Sequence, residues 1–422
     1  MELLPIFKRA YWTLAAAGLF YVCFIISMTY PTVQRFVLYA NKINPTLWQN
    51  VNDVEPFGFL IVDARTETQV QPFHLKTPDN ETLYGWHLLP LHLCHEHEEE
   101  LAANEPSGPA EDYTKTSAFK LLANDPKARV VVNFHGNAAH LASAQRPEIY
   151  RMLLGLSNPS DPVHVFAIDY RGFGVSTGSP TEEGLITDGM SLINFLTSTP
   201  LNIPPSRIVL VGQSLGTAVS AAVAERWAFG SSDPTAIQPA IKNSEPFAGV
   251  ILLASFSNVA SVVESYSLKG ITPPMLSPLR GYPRVQKWAV SHILDRWDTA
   301  ARVARLAGIG PTAQNDSDAG YVSKNLDLAI VHARDDVEIP WYEGRRVWVA
   351  ATGEDRPDVV GRLVYEKQQE NGPGEVKIWE NRSAKDSSVV KKVRWERVGY
   401  GGHNRVAIFS VASLAVLRAF EN

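Results

Sequence analysis

Two stretches of the chain place a serine between glycines two residues away on either side: Gly212-Gln213-Ser214-Leu215-Gly216 and Gly174-Val175-Ser176-Thr177-Gly178. Such a frame suits a nucleophile exposed on a sharp strand-to-helix turn, where side chains at the flanking positions would collide as the chain reverses. Ser214 directly follows the apolar run Arg207 to Gly212 and opens Leu215 to Ala228, a helical stretch that starts with small residues. Ser176 lies several residues past its apolar run and is followed by Pro180, so Ser214 is the expected nucleophile and Ser176 part of a structural turn.

A serine hydroxyl attacks at neutral pH only if a neighbouring base takes its proton. Where the nucleophile sits on such an elbow, the acid and then the histidine follow it in the chain. His403 is the only histidine after His332, and it follows the flexible Gly399-Tyr400-Gly401-Gly402. It is the expected base. The acid should lie after the run Leu326 to His332, where Asp335, Asp336 and Glu338 all qualify by type. Spacing does not choose among them. A tetrahedral oxyanion needs backbone donors, expected from the N–H of Leu215 and from the loop His135-Gly136-Asn137-Ala138. Asn137 is the expected donor there and Ala138 the alternative. His135 reads as structural, because chain order gives the base to His403.

These residues need a scaffold. Short runs apolar almost throughout, Arg129 to Phe134, Val163 to Asp169, Arg207 to Gly212, Gly249 to Ala254 and Leu326 to His332, suit strands covered by helices on both faces, hence a mostly parallel α/β sheet. Thr68 to Lys76 and Glu81 to Leu89 alternate around Thr77-Pro78-Asp79-Asn80 and predict an antiparallel hairpin. Helices are expected over Glu182 to Thr197, Leu215 to Ala228, Val285 to Trp297 and Val406 to Phe420, and a last strand over Val393 to Val398. The polar segment Leu91 to Lys127 reads as a solvated loop. Its His92, Cys94, His95 and His97 lack a second ligand cluster, so no metal is expected. A cap is placed at about residues 256–325, and surface insertions at residues 229–245 and about 355–392.

Ala10 to Gln34 holds no charge, and Tyr11 to Tyr30 is almost wholly apolar. That is about the 20 residues a membrane-crossing helix needs, without a signal-peptide cleavage site. Residues 1–36 are therefore expected to be an anchor and 37–422 the catalytic domain. Lys8 and Arg9 face Arg35 and Lys42 across the span, and a cytosolic N-terminus is only weakly favoured. Sequons at Asn80, Asn315 and Asn381 would suit a lumenal domain if used. A net charge of −5 without a basic run excludes a nucleic-acid surface, and two cysteines provide no disulfide framework. Met275, Leu276, Leu279, Trp288 and Trp297 raise the further idea of a cap resting on the membrane.

Taken together, Leu83 to Trp86, His135-Gly136-Asn137, Asp169 to Gly174 with Ser176 and Gly178, Thr181 to Gly184, Gly212 to Gly216, His332-Ala333 with Asp335-Asp336, and Gly402-His403-Asn404 resemble the α/β-hydrolase domain-containing protein 12-like family. The resemblance implies the α/β-hydrolase fold and a membrane-bound lipase of the endoplasmic reticulum acting on monoacylglycerols or lysophospholipids, with no cofactor. It implies Asp336 as the acid, two variable residues before Ile339-Pro340, with Asp335 as runner-up. It also implies that Asp169 and Arg171 brace a turn. An acyl-protein thioesterase or general carboxylesterase, and a silent membrane-tethered scaffold, are the alternatives.

Overall fold

Strands buried on both faces can afford almost no polar side chains, and the central runs obey that constraint. In the computed structural model, which describes residues 3–43, 49–59, 61–63, 66–67, 69–104, 108–231, 236–237, 245–265, 275–309, 324–356, 359, 361–369, 372–382 and 390–421, they lie side by side in one sheet. Its strands are β1 (Val70–Lys76), β2 (Thr82–Leu88), β3 (Arg129–Phe134), β4 (Val163–Ile168), β5 (Ile208–Gln213), β6 (Gly249–Leu253), β7 (Leu326–Ala333), β8 (Arg362–Gln368), β9 (Glu375–Arg382) and β10 (Val390–Val398). The spatial order is β8-β9-β10-β7-β6-β5-β3-β4-β2-β1. From β4 through β10 the pairing is parallel. The hairpin β1-β2 joins antiparallel at one edge, with Gly85 opposite Ile168.

The helices are α1 (Leu3–Ser27), α2 (Pro31–Tyr39), α3 (Leu91–Glu96), α4 (Glu98–Asn104), α5 (Ser117–Asn124), α6 (Arg146–Leu154), α7 (Glu182–Thr197), α8 (Leu215–Phe229), α9 (Val259–Ser265), α10 (Pro283–Ser291), α11 (Thr299–Ala307), α12 (Trp341–Thr352), α13 (Gly402–Arg405) and α14 (Ser410–Glu421). α7 starts where Thr181 accepts from the Gly184 N–H and two glutamates face the helix N-terminus. Leu185, Met190, Ala218, Val219, Val303 and Trp348 pack one face of the sheet, bringing α7, α8, α11 and α12 onto it. Ile149, Leu153, Val411, Ala415 and Val416 of α6 and α14 cover the other.

Several expectations need correction. The segment Leu91 to Lys127 is not a solvated loop: α3, α4 and α5 form there, burying Cys94 against Leu89, Leu101 and Ala118. These helices are too short for their apolar faces to show as a period, and the Glu98–Glu100 run is the acidic first turn of α4. The stretch 355–392 holds β8 and β9, which continue the sheet beyond β10. Both strands are amphipathic at best, and every residue of β8 is exposed. The helix expected over Val285 to Trp297 spans Pro283–Ser291; Trp297 lies beyond it, fully buried, with its indole N–H on the Tyr39 hydroxyl at 3.2 Å. The closing helix is broken at Phe409, whose extended backbone separates a short turn from α14. Asn315 lies outside the described residues.

α1 is the one helix among the described residues long and apolar enough to cross a membrane, over Pro5–Ser27. Pro5 to Phe20 are exposed throughout, as a lipid-facing surface would be.

Candidate active site

β5 ends at Gln213 and α8 begins at Leu215, which leaves Ser214 alone to turn the chain. Its φ of 55° and ψ of −120° are strained for a residue with a Cβ, and its N–H is held by the Leu253 carbonyl of β6 at 3.0 Å. The turn is tight enough to exclude side chains on both flanks. A Cβ at Gly212 would lie 2.2 Å from the Gly216 carbonyl oxygen, and one at Gly216 would lie 1.9 Å from that of Phe134.

Three distant segments meet at this elbow. His403 Nε2 stands 2.9 Å from Ser214 Oγ, and His403 Nδ1 stands 2.8 Å from Asp336 Oδ2. The carboxylate of Asp336 is fully buried yet well provided with donors. The N–H groups of Glu338 and Ile339 both donate to Oδ1 at 2.9 Å, and His332 Nε2 approaches Oδ2 at 3.2 Å. His332 Nε2 also lies 2.9 Å from the Ile339 carbonyl, which can only accept, so that nitrogen carries the proton. Burial pushes the Asp336 carboxyl up, but the hydrogen bonds from His332 and His403 outweigh it and hold the group well below the usual carboxylate range. Burial likewise pulls the His403 imidazole down; the bond to Asp336 and its charge, with Glu338 behind, reverse this and leave the pKa raised above 6.5.

The neighbouring Asp335 points elsewhere. Its carboxylate accepts from the N–H groups of Gly402 at 2.8 Å and Gly401 at 3.3 Å, and so shapes the loop that delivers His403. Gln213 secures the same loop from below, donating to the His403 carbonyl at 3.2 Å and to Asn404 Oδ1 at 3.1 Å. Neither role was visible in the sequence.

On the other side of Ser214, Gly136 comes so close that a Cβ there would lie 3.3 Å from Ser214 Cβ. The Asn137 N–H finds no acceptor among the described residues, and the Leu215 N–H, at the open start of α8, finds none either. Ala138 is different: its N–H donates to the Tyr39 carbonyl at 2.9 Å. The loop is clamped by Arg146, a buried guanidinium that donates to the carbonyls of Gly136 at 3.0 Å, Asn137 at 2.8 Å and Ala138 at 2.9 Å, and also to that of His140. Sequence reasoning passed over Arg146, because nothing in its neighbours marks an arginine as interior. It also passed over the end of α2 and the turn beyond it, which carry the loop: besides the Tyr39 contact, the Ala139 N–H donates to Ile43 O at 3.2 Å.

The remaining candidates stand apart. Ser176 Oγ donates to the Asp169 carbonyl at 2.8 Å and accepts from the Tyr84 N–H at 2.9 Å, which ties a turn to β2. Asp169 accepts from the Leu141 N–H at 2.6 Å, and Arg171 bridges Asp188 and Asp79 at 2.8 and 2.6 Å. His135 is buried against Tyr170 and Phe173, its Nδ1 donating to the Gly136 carbonyl at 2.6 Å.

A model of the alpha/beta hydrolase family matches residues 130–389. Among curated proteins, the chain is similar to the lysophosphatidylserine lipase ABHD12 of Gallus gallus, 28% identical over 53% of this chain and 48% of that one. It is similar to ABHD12 of Danio rerio at 22% over 78% of this chain and 69% of that one, and to protein ABHD12B of Homo sapiens at 28% over 53% and 49%. The matches span about half the length of the chicken and human relatives. Among solved structures, an alpha-beta hydrolase from Vibrio vulnificus superposes with a TM-score of 0.51 over 92% of this chain and 94% of its own, at 14% identity, which speaks for the fold alone. The expected likeness to ABHD12 is thus borne out, and the chain belongs to the alpha/beta hydrolase family.

Proposed function

We propose that this protein is a membrane-anchored serine hydrolase that cleaves the carboxylic ester of a monoacylglycerol or lysophospholipid through an acyl-enzyme. The observation that carries the reading is the continuous relay Asp336–His403–Ser214, with contacts of 2.8 and 2.9 Å. His403 Nε2 takes the Ser214 proton as Oγ attacks the ester carbonyl, while Asp336 keeps the other imidazole proton on Nδ1 and stabilises the imidazolium. The N–H groups of Asn137 and Leu215 receive the oxyanion, donors fixed in place before charge develops. His403 then protonates the departing glycerol oxygen, and water, deprotonated by the same imidazole, releases the fatty acid. A raised His403 pKa helps the first transfer, and the ionised Asp336 is the cause of that rise.

The lipid character of the substrate rests on two supports: the apolar helix α1, read as a single-pass anchor, and the relatives named as lysophosphatidylserine lipases. The test is hydrolysis of a panel of 1-acylglycerols and lysophospholipids by the purified full chain in detergent. Wild-type protein is expected to turn over at least one member, and Ser214→Ala to lose about 10⁴-fold or more in kcat. A Ser214→Ala protein within tenfold of wild type would remove the assigned nucleophile.

A further inference from the structure

We propose that the N-terminal helix is part of the substrate site: the end of α1 and one side of α2 form one wall of the pocket that receives the acyl chain, and the chain slides into that pocket from the bilayer. This rests on the reading of Ser214 as the residue that attacks a lipid ester.

A cavity of about 200 Å³ lies between the end of α1, α2 and the cap. Ile25 lines it from the first and Met28 from the turn just beyond, Leu38 from the second, and Val263 and Ile293 from the cap; Asn137 also belongs to its wall. Asn137 directly follows Gly136, the residue pressed against Ser214. The apolar space therefore adjoins the oxyanion loop. An acyl chain whose carbonyl sits at Ser214 has this cavity beside it.

The other end of the cavity meets the membrane span. A bilayer core of about 30 Å takes about 20 helical residues at 1.5 Å each. Counted from Ala10, after the charges of Lys8 and Arg9, the hydrocarbon region ends near Thr29, so Ile25, Met28 and Thr29 stand at its far boundary. At that depth an amphiphile carries its ester and first chain carbons. α1 is exposed up to Phe20 and from Tyr21 onward packs one side on protein, where the Tyr21 hydroxyl donates to the Met275 carbonyl of the cap at 3.0 Å.

α2 is fixed to both sides of the cleft, unlike a simple tether. Its Tyr39 carbonyl holds Ala138, and its Tyr39 hydroxyl reaches Asp295 at 3.1 Å. Gln34 donates to the His292 carbonyl at 2.5 Å and accepts from the Leu294 N–H at 3.1 Å. Val37 of the lining is partly open to the outside, and exposed Trp288 of the cap adds to the apolar surface. Of the residues first suspected of resting on the membrane, Leu276 and Trp297 are instead buried.

Capacity follows from volume. An apolar cavity of about 150 Å³ holds a six-carbon ring, so this one encloses roughly eight methylenes. The rest of a longer chain lies along the lipid-facing side of α1. Filling the pocket should accordingly shift chain-length preference at about fourfold per methylene excluded.

The experiment compares kcat/KM for 1-oleoylglycerol and 1-butyrylglycerol with the full chain in nanodiscs, for wild type, Met28→Trp and Val263→Trp. The oleoyl-to-butyryl ratio is expected to fall about 50-fold or more in each variant, for roughly three methylenes displaced. A ratio within threefold of wild type in both would overturn the inference. In parallel, a lysophospholipid carrying a mid-chain diazirine is photolysed on wild-type protein in nanodiscs. Adducts on the peptide covering residues 25–38 are expected, and adducts found only elsewhere would overturn the inference even if both variants misfold. Absence of turnover for either glyceride by wild type would strike at the hydrolase reading instead.

Discussion

Two adjacent carboxylates share one loop, and exchanging each for its amide separates them. In Asp336→Asn the amide oxygen can still accept from the Glu338 and Ile339 N–H groups, which leaves the NH₂ facing His403 Nδ1 and the protonated His332 Nε2. To pair with that donor, His403 must move its proton to Nε2, the atom 2.9 Å from Ser214 Oγ, and it then cannot act as a base. Loss of the productive tautomer in a serine triad costs about 10⁴ in kcat, or about 5.5 kcal/mol of barrier. The donor-to-donor contact with His332 adds about 1–3 kcal/mol of lost stability. Asp335→Asn keeps an amide oxygen for one of the two glycine N–H groups and turns its NH₂ toward the other, which, being exposed, can pair with water instead. That predicts a decrease of about tenfold or less. The assay is kcat/KM for a soluble short-chain ester in detergent, with thermal unfolding as a check on the fold. A larger loss in Asp335→Asn than in Asp336→Asn would refute the assignment of the acid and the tautomer argument with it.

Other consequences follow from the same geometry. Arg146→Met leaves four carbonyls without their donor, those of Gly136 and His140 buried, and frees the Asn137 loop; denaturant unfolding should show a loss of about 3 kcal/mol or more, and kcat a fall of about 10²–10³ from the displaced oxyanion donor. Gly216→Ala drives a Cβ into the Phe134 carbonyl, so α8 and β3 must separate, and the variant should be recovered mostly unfolded or aggregated in a solubility assay. Because the His403 pKa is raised, the acid limb of kcat/KM should have its midpoint above pH 6.5, and a midpoint below that value would contradict the charge relation with Asp336. The same shift makes the His403–Asp336 contribution to stability full below pH 6.5 and lost as pH rises through the folded-state value, so melting temperature and activity should move in opposite directions across that window.

How much of this was legible in the sequence depended on the kind of constraint. The elbow was readable because only glycine fits at positions 212 and 216, and the central strands because double burial demands unbroken apolar runs. Chain order singled out His403. It could not separate Asp335 from Asp336, since both lie on one loop and differ only in direction. The helices α3 and α4 escaped notice because their buried faces amount to single residues, Cys94 and Leu101, amid charge, and α5 because it runs for only eight residues. The strands β8 and β9 hid in a segment whose polarity suited a loop, as exposed edge strands permit. Hardest to see were the long-range supports, Arg146, Gln213 and the carbonyl of Tyr39, because their partners are set by tertiary approach and leave no local pattern. The division into anchor and catalytic domain at residue 36 also cuts through α2, which carries contacts of both.

The most direct test of the relay is to label the full chain with a fluorophosphonate and map the modified residue by peptide mass spectrometry. The account predicts a single adduct on Ser214, lost in Ser214→Ala and formed more than about 10³-fold more slowly in His403→Ala. An adduct on Ser176 or another serine, or labelling of Ser214 that is indifferent to His403, would contradict it.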